Sequence, residues 1–371
     1  MKQSYTEQMI DPKTNDNKKK VLMYYSYGNK IGGPLTYINT IINSPLKEKY
    51  EFVTCYQNKA PGGWDGEMLK EMTDRIKAEK PEIVHIHGAQ SEGFYGVLAA
   101  KKAGVKKIVM TIHGFAFDDS NCKGVKHFLY KNIVEPYSIR NSDNVYCVCE
   151  YASKRDIVKK NAGKRSFGYI HNCVPQLHIK ENRESIRSRL NINENDVVFC
   201  ISGRVTKEKG FDILEKVVKG LREAEETNFK LMVLGDGPYS KTFKENLKKE
   251  VEKGQVILVG QTNQVADYLA ASDVFIFPSY HENLSIALLE AGASGLPAIV
   301  ANVGGNPEII KNNETGFVID GFEYEKYLEK VKFFLNNPDD RISMGIKVKK
   351  DITDRFSLEL MCGKIDEVYK L

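Results

Sequence analysis

No run of the 371 residues approaches the roughly 20 apolar positions that a membrane-spanning helix needs. The N-terminus also lacks the apolar core of a secretory signal, so the chain is expected to stay in the cytoplasm. Cysteine supplies no framework. There are seven, an odd number, scattered and without a C-x-x-C pair, which fits buried thiols in a reducing compartment. No D-x-D triplet occurs, so a carboxylate-held divalent cation is not expected. His85 and His87 stand two apart on one strand face, but two ligands without a clustered third make no metal centre. What remains is an ordinary globular balance of 42% hydrophobic and 28% charged residues, at a length that predicts two domains.

Charge divides unevenly. Residues 1–175 hold 27 Lys+Arg against 18 Asp+Glu, a net +9, while the whole chain is +5 and the remainder is therefore −4. An acidic second half without a binding motif argues against nucleic acid as a partner. The stretch Ala152 to Ser166 carries Lys154, Arg155, Lys159, Lys160, Lys164 and Arg165, which reads either as a solvated helix face or as a surface for an anionic membrane.

From Val21 onward, short β-rich runs alternate with helical patterns. In the first half, strands are expected near 21–27, 51–57, 83–87, 107–113, 144–149 and 167–171. Helices are expected near 34–43, 66–79, 93–103, 125–141 and 151–161. The second half repeats the grammar, with strands near 196–202, 229–234, 256–260, 273–277, 297–301 and 316–319. This alternation predicts α/β architecture with two doubly wound, Rossmann-like domains. Residues 1–20 are polar and lysine-ended and are expected to be disordered. The first domain is placed at 21–175 and the second at 176–355, with a terminal helix at 356–371. In such sheets ligands bind at the carboxyl ends of the strands.

The most informative stretch follows the strand expected to end at Pro278. Glu282 sits in a short loop, a helix is expected from about Asn283, and Glu290 lies inside it among Leu288, Leu289, Ala291 and Ala293. A carboxylate in such company is costly unless hydrogen-bonded, and sugar hydroxyls would satisfy it. Gly203-Arg204 and Lys209-Gly210 follow the first strand of the second half. Two cations beside a helix N-terminus suit a diphosphate. Gly235-Asp236-Gly237-Pro238 and Gly304-Gly305-Asn306-Pro307-Glu308 are further strand-end turns. Gly28 to Pro34, containing Gly32 and Gly33, lacks the G-x-G-x-x-G spacing of a dinucleotide site and reads as a turn or as a close approach to a ligand. His113 ends a strand, where it could bond a sugar hydroxyl and change charge near neutrality.

Together these parts resemble the retaining family 4 glycosyltransferases of GT-B fold, over nearly the whole chain from Val21. The resemblance rests on Gly32-Gly33, His113, Gly203-Arg204, Lys209-Gly210, Gly235 to Pro238, Val303 to Glu308, and the E-x7-E pair Glu282 and Glu290. It implies two domains facing a central cleft that holds a nucleotide-sugar, with the last helix returning to the first domain. It also implies that Arg204 and Lys209 hold the donor diphosphate, that Glu282 contacts the donor sugar and Glu290 the ribose, and that His113 faces the sugar. Gly32, Gly33, Gly203, Gly235, Asp236 and Ser285 would line the donor site, and Asn283 and Leu284 would offer amides at a helix N-terminus. Asn283 stands where many members have glycine, and Asn172-Cys173-Val174 lacks the glycine of the family's Asn-Gly-Val segment.

The expected activity is metal-independent, retaining transfer of a hexose from a nucleotide-sugar, UDP-linked by preference. No other cofactor is expected. The acceptor is expected to be a lipid-linked or cell-surface polysaccharide precursor, reached from the inner membrane face. A nucleotide-sugar epimerase and a non-catalytic nucleotide-sugar-binding subunit are the rival readings.

Overall fold

The computed structural model describes residues 18–26, 33–57, 63–119 and 122–371. Among them, twelve strands form two sheets of six. The first sheet contains β1 (Lys19–Ser26), β2 (Tyr50–Gln57), β3 (Ile83–His87), β4 (Lys107–Ile112), β5 (Asn144–Cys147) and β6 (Ser166–Tyr169), in spatial order β2-β1-β3-β4-β5-β6. The second contains β7 (Val197–Ser202), β8 (Phe229–Leu234), β9 (Val256–Gly260), β10 (Val274–Phe277), β11 (Ala298–Ala301) and β12 (Gly316–Ile319), in the order β12-β11-β10-β7-β8-β9. Every ladder is parallel. The central strands β3, β7, β10 and β11 are buried at every residue, as helices on both sheet faces require.

The strand orders locate the functional crevices. In the first sheet the chain steps from β1 to β2 and then crosses to the other side of β1 for β3. In the second it steps from β7 through β8 to β9 and then crosses to the other side of β7 for β10. The β1/β3 and β7/β10 junctions are therefore topological switch points, where loops diverge at the carboxyl edge and leave room for a ligand.

The expected strands are present, four of them with the expected bounds and the others with ends shifted by no more than two residues. The expectation of disorder over 1–20 falls mainly on residues outside the described ones. Lys19 and Lys20, however, belong to β1, because Lys20 pairs with Glu51 at 3.2 Å on β2 and with Glu79 at 3.5 Å. The charged segment after Pro175 holds a helix, Arg183–Arg189, tied to the second sheet through Arg183 and Arg187 on Asp273.

The final helix, Leu358–Lys370, packs Met361, Ile365, Val368 and Tyr369 against Val21, Met23 and Tyr37 of the first domain. Asp366 fixes it there, accepting from Tyr50 at 2.8 Å and pairing with Lys49 at 2.7 Å. The Val174 amide donates to the Phe356 carbonyl at 3.0 Å, so the outgoing and returning crossings run side by side. All seven cysteines are buried and unpaired. No helix among the described residues is long and apolar enough to cross a membrane.

Candidate active site

A cavity of about 420 Å³ opens between the carboxyl edges of the two sheets. Its second-domain wall comes from the two loops at the β7/β10 switch point: Gly203, Arg204 and Lys209 after β7, and His281 to Ala287 after β10. The first domain contributes Gly33, Gln90, His113, Phe115, Asp118 and Asp119.

The two switch-point loops are locked together by backbone. Gly210 has φ +76°, and a Cβ there would lie 2.1 Å from the Pro278 carbonyl oxygen. Only glycine permits this approach, which brings the turn Lys207–Lys209 against the end of β10. The same device recurs at Gly304, with φ +55° and a virtual Cβ 1.8 Å from the Glu282 carbonyl oxygen. Beside it the Gly305 amide donates to the Asn283 carbonyl at 2.6 Å. As a result Lys209 Nζ pairs directly with Glu282 Oε1, and the Ser279 hydroxyl lies 3.0 Å from the same oxygen. The Lys209 ammonium also sits 5.4 Å from the centre of the Phe277 ring. Arg204 is exposed at the cavity wall and has no partner among the described residues.

The helix expected from Asn283 begins three residues later, as Ile286–Ala293. Ser285 is its cap, its hydroxyl accepting from the Leu288 amide at 3.2 Å, and the Asn283 carbonyl is already taken by Gly305. The first-turn amides that a helix leaves unsatisfied thus belong to Ile286 and Ala287 rather than to Asn283 and Leu284. Asn283 keeps a role of another kind. Its side-chain oxygen is buried in the cavity wall without a hydrogen-bond partner, and a buried acceptor in that state calls for a ligand donor.

Glu290 lies one turn further along this helix, half-buried and outside the cavity wall. No described residue pairs with it, and burial raises its pKa from 4.5 to about 7. For a carboxyl raised in this way, the penalty on folding is absent below the unfolded pKa, grows as pH rises past it, and is complete above the folded one. Glu290→Gln is therefore expected to stabilise the ligand-free protein by up to about 3 kcal/mol at pH 8 and by little at pH 4.5. Thermal melts at the two pH values check this, and equal shifts at both would contradict it.

Gly235 and Asp236 line a separate pocket of about 200 Å³ with Val205, Leu258 and Gly260, at the ends of β8 and β9. The Asp236 carboxylate is used within its own turn, accepting from Ser240 Oγ at 2.6 Å and from the Gly237 amide at 2.7 Å. Gly32 lies outside the described residues.

His113 reaches the cavity but does not titrate near neutrality as expected. Burial pushes its pKa down to about 3, and its ring packs edge-on to Tyr37 at 5.1 Å and over His87 at 5.6 Å. It faces the cleft as a neutral imidazole. His87 Nδ1 lies 3.4 Å from His113 Nε2, and His85 bonds Tyr369 of the final helix at 2.7 Å and Thr111 at 2.7 Å. The two histidines of β3 thus link the cleft to the returning helix.

Sequence reasoning passed over Asp118 and gave Glu308 no separate role. Asp118 holds the Arg155 guanidinium through two bonds, one of 2.7 Å, and lies 3.7 Å from His281 of the other domain. Arg155 stacks over Phe115 at 4.6 Å. Arg165 is likewise spent on backbone, bonding the Asn161 carbonyl at 2.7 Å. Two of the six cations in the basic stretch therefore hold the domain together and are not free for a surface. Glu308 accepts from the Glu150 and Tyr151 amides at 2.9 and 2.8 Å and from His171 at 2.7 Å, clasping the second domain to the first. The sequence signal for Asp118 was its position at a strand-end loop, and Glu308 also closed the Val303 to Glu308 segment of the resemblance.

The cavity thus combines two cations, a buried carboxylate, an unpaired amide oxygen, a helix N-terminus and a neutral imidazole. Such a set can bind an anion beside a polyhydroxylated group. The profile of the family described as glycosyl transferases group 1 matches residues 182–351, and that of the glycosyl transferase 4-like family matches residues 42–148. The chain is 28% identical over 319 residues to the Escherichia coli UDP-Gal:alpha-D-GlcNAc-diphosphoundecaprenol alpha-1,3-galactosyltransferase, covering 82% of this chain and 79% of that one. It is 25% identical over 311 residues to the Bacillus anthracis N-acetyl-alpha-D-glucosaminyl L-malate synthase, again covering 82% and 79%. Its fold matches the crystal structure of Anabaena Alr3699/HepE in complex with UDP and glucose, with TM-score 0.78 at 14% identity over 95% of this chain and 99% of that one.

Proposed function

The chain belongs to the group 1 glycosyl transferases, with the GT-B fold, and from that premise we propose that it moves a hexose-type sugar from a UDP-sugar to a hydroxyl of a lipid-linked or cell-surface polysaccharide precursor, with retention at the anomeric carbon. The observation that carries this reading is the Lys209–Glu282 pair at the β7/β10 switch point, in the same cavity wall as Arg204.

In this reading Arg204, Lys209 and the N-terminus of the Ile286–Ala293 helix receive the diphosphate. Glu282 and Asn283 accept hydroxyl protons of the donor sugar, and Glu290 those of the ribose. The nucleobase lies toward Gly235 and Asp236. Gly33 lets the first domain approach the phosphates, and neutral His113 offers one hydrogen bond to the sugar. Chemistry rests on electrostatic stabilisation. The bond from the anomeric carbon to the diphosphate breaks, a bond to the acceptor oxygen forms on the same face, and the acceptor proton passes to the departing diphosphate oxygen.

The chain has no D-x-D triplet, and Arg204 and Lys209 take the neutralising part. Activity is therefore expected to persist in EDTA. Strict dependence on added magnesium or manganese would contradict this role. Lys159 and Lys164 are the cations of the basic stretch left exposed and unpaired among the described residues, and they would favour peripheral contact with an anionic inner leaflet.

A panel of nucleotide sugars, each with and without acceptor, tests the function. Nucleotide release that requires acceptor, with a product heavier by one hexose, is expected. Acceptor-independent formation of a rearranged nucleotide sugar would identify an epimerase. Binding without turnover would identify a nucleotide-sugar-binding subunit.

A further inference from the structure

The helical run that follows Cys122 is largely open to solvent. Neither Gly124–Leu129 nor the π-helical turn Tyr130–Val134 buries a single residue. Yet Val125, Phe128, Leu129 and Ile133 are all exposed, Val125 to 75%. An apolar face turned to water is unfavourable by roughly 25 cal/mol per Å², and a contiguous one marks a binding surface. Opposite it stands Trp64, 70% exposed and the chain's one tryptophan.

Between them lies a concave, mainly apolar cavity of about 550 Å³ with Trp64, Phe94, Tyr95, Val125 and Leu129 in its walls. Tyr95 is held in place, donating to the Gly63 carbonyl at 2.9 Å and accepting from the Asp65 amide at 2.7 Å. Tyr95 therefore gives the cavity one fixed aromatic wall.

Two further observations define the occupant. The first is charge. From Cys122 to Val134 the chain carries Lys123, Lys126 and Lys131 and no acid, and Lys126 is itself in the cavity wall. The second is position. Gln90 lines the transfer cavity and the next residue, Ser91, lines this one. The exposed helix also touches the cleft-lining loop, through Lys131 over the Phe117 ring at 5.8 Å and His127 beside it at 6.2 Å.

We propose that this cavity is the tail subsite of the acceptor: it takes the apolar chain of a single anionic amphiphile, a prenyl or acyl phosphate, whose sugar head extends past Ser91 and Gln90 into the transfer cavity. This deepens the function proposed above and rests on it. A concave site of this size holds one chain, whereas a flat basic face would address a bilayer surface. Lysines at the rim meet the phosphate while the apolar walls meet the chain.

Trp64 reports on its own site. Titration with monomeric farnesyl diphosphate is expected to give a saturable blue shift of the tryptophan emission. Inorganic diphosphate at the same concentrations is expected to give none. Leu129→Asp, at an exposed position, is expected to weaken binding roughly tenfold, and Lys126→Glu to weaken it by several fold. UDP binding, carried mainly by the other domain, should be unchanged in both variants, and an unchanged melting temperature and far-ultraviolet circular dichroism confirm that the altered first domain folds.

The proposal is overturned by any of three results. One is an absent shift, or one that inorganic diphosphate reproduces. Another is a Leu129→Asp titration equal to the unmodified protein. The third is a concentration-dependent dimer that Leu129→Asp makes monomeric, which would assign the face to a second copy. Failure of the parent reading looks different. A chain-dependent shift in a protein with no transferase activity would keep the cavity and remove the function. Transfer that ignores the acceptor's tail, with no shift, would do the reverse.

Discussion

Lys209→Ala is expected to lower kcat/KM by roughly 30- to 1,000-fold, the equivalent of about 2–4 kcal/mol for removing one preorganised group that stabilises developing charge. The ammonium lies between the Glu282 carboxylate and the Phe277 ring, at the strand-end junction where the diphosphate would sit. It is placed before the substrate arrives, so little reorganisation is required at the moment of reaction. Arg204→Ala is expected to cost a similar amount, but by another route, since Arg204 is exposed and has no partner among the described residues. Its loss should weaken UDP binding without touching the fold. Lys209→Ala, by contrast, strands a buried carboxylate and should also lower the melting temperature near pH 8. Lys209→Arg should not rescue, because a planar guanidinium does not fit where a compact ammonium meets one carboxylate oxygen. Steady-state kinetics with melts of each variant check these outcomes, and near-normal kinetics for Lys209→Ala would remove the assigned role.

Glu282→Ala is expected to reduce kcat by roughly 10- to 150-fold, the loss of a charge-assisted hydrogen bond worth about 1.5–3 kcal/mol. It should not weaken the nucleotide. In the free protein Glu282 neutralises Lys209, so removing it frees the ammonium for the diphosphate, and UDP should bind as tightly as before or tighter. Loss of turnover together with retained UDP affinity is the signature. The double variant with Lys209→Ala should cost less than the two single losses added, because Lys209 and Glu282 are direct partners and each single change leaves the other charge without its partner. Calorimetric titration with UDP beside the kinetics tests both statements. A weaker UDP complex in Glu282→Ala would place the carboxylate on the nucleotide, not on the sugar.

The sheets were legible because buried parallel strands write themselves as unbroken apolar runs: Val197–Ser202 and Val274–Phe277 have no polar alternation to confuse them with amphipathic elements. Their ends then carried Arg204, Lys209 and Glu282 to one junction, since strand order alone decides which loops meet. What was not legible were contacts between distant segments. Nothing local to His113 shows that His87 and Tyr37 will pack over it and keep it neutral. Nothing local to Arg155 shows that Asp118 will claim it, so a run of six cations looked like one surface. The helix start was misplaced by three residues because Asn283 and Ser285 are both good caps, and the choice fell to Gly305 taking the Asn283 carbonyl. The helix near 125–141 was expected, but not the exposure of its apolar face beside Trp64, because periodicity reports a face and not what covers it.

The central claim, retaining transfer from a UDP-sugar in the cleft between Arg204 and Glu282, is tested most directly by the anomeric configuration of the product. Incubating the protein with a UDP-α-hexose that it turns over, together with its acceptor, and recording the proton spectrum of the glycoside, whose acetal centre does not mutarotate, reads that configuration from the H1–H2 coupling of a gluco- or galacto-configured sugar. The account predicts an α-linked product formed in step with UDP release, and the same product formed roughly 10- to 150-fold more slowly by the Glu282→Ala protein. A β-linked product would contradict it, as would a rearranged UDP-sugar formed without acceptor.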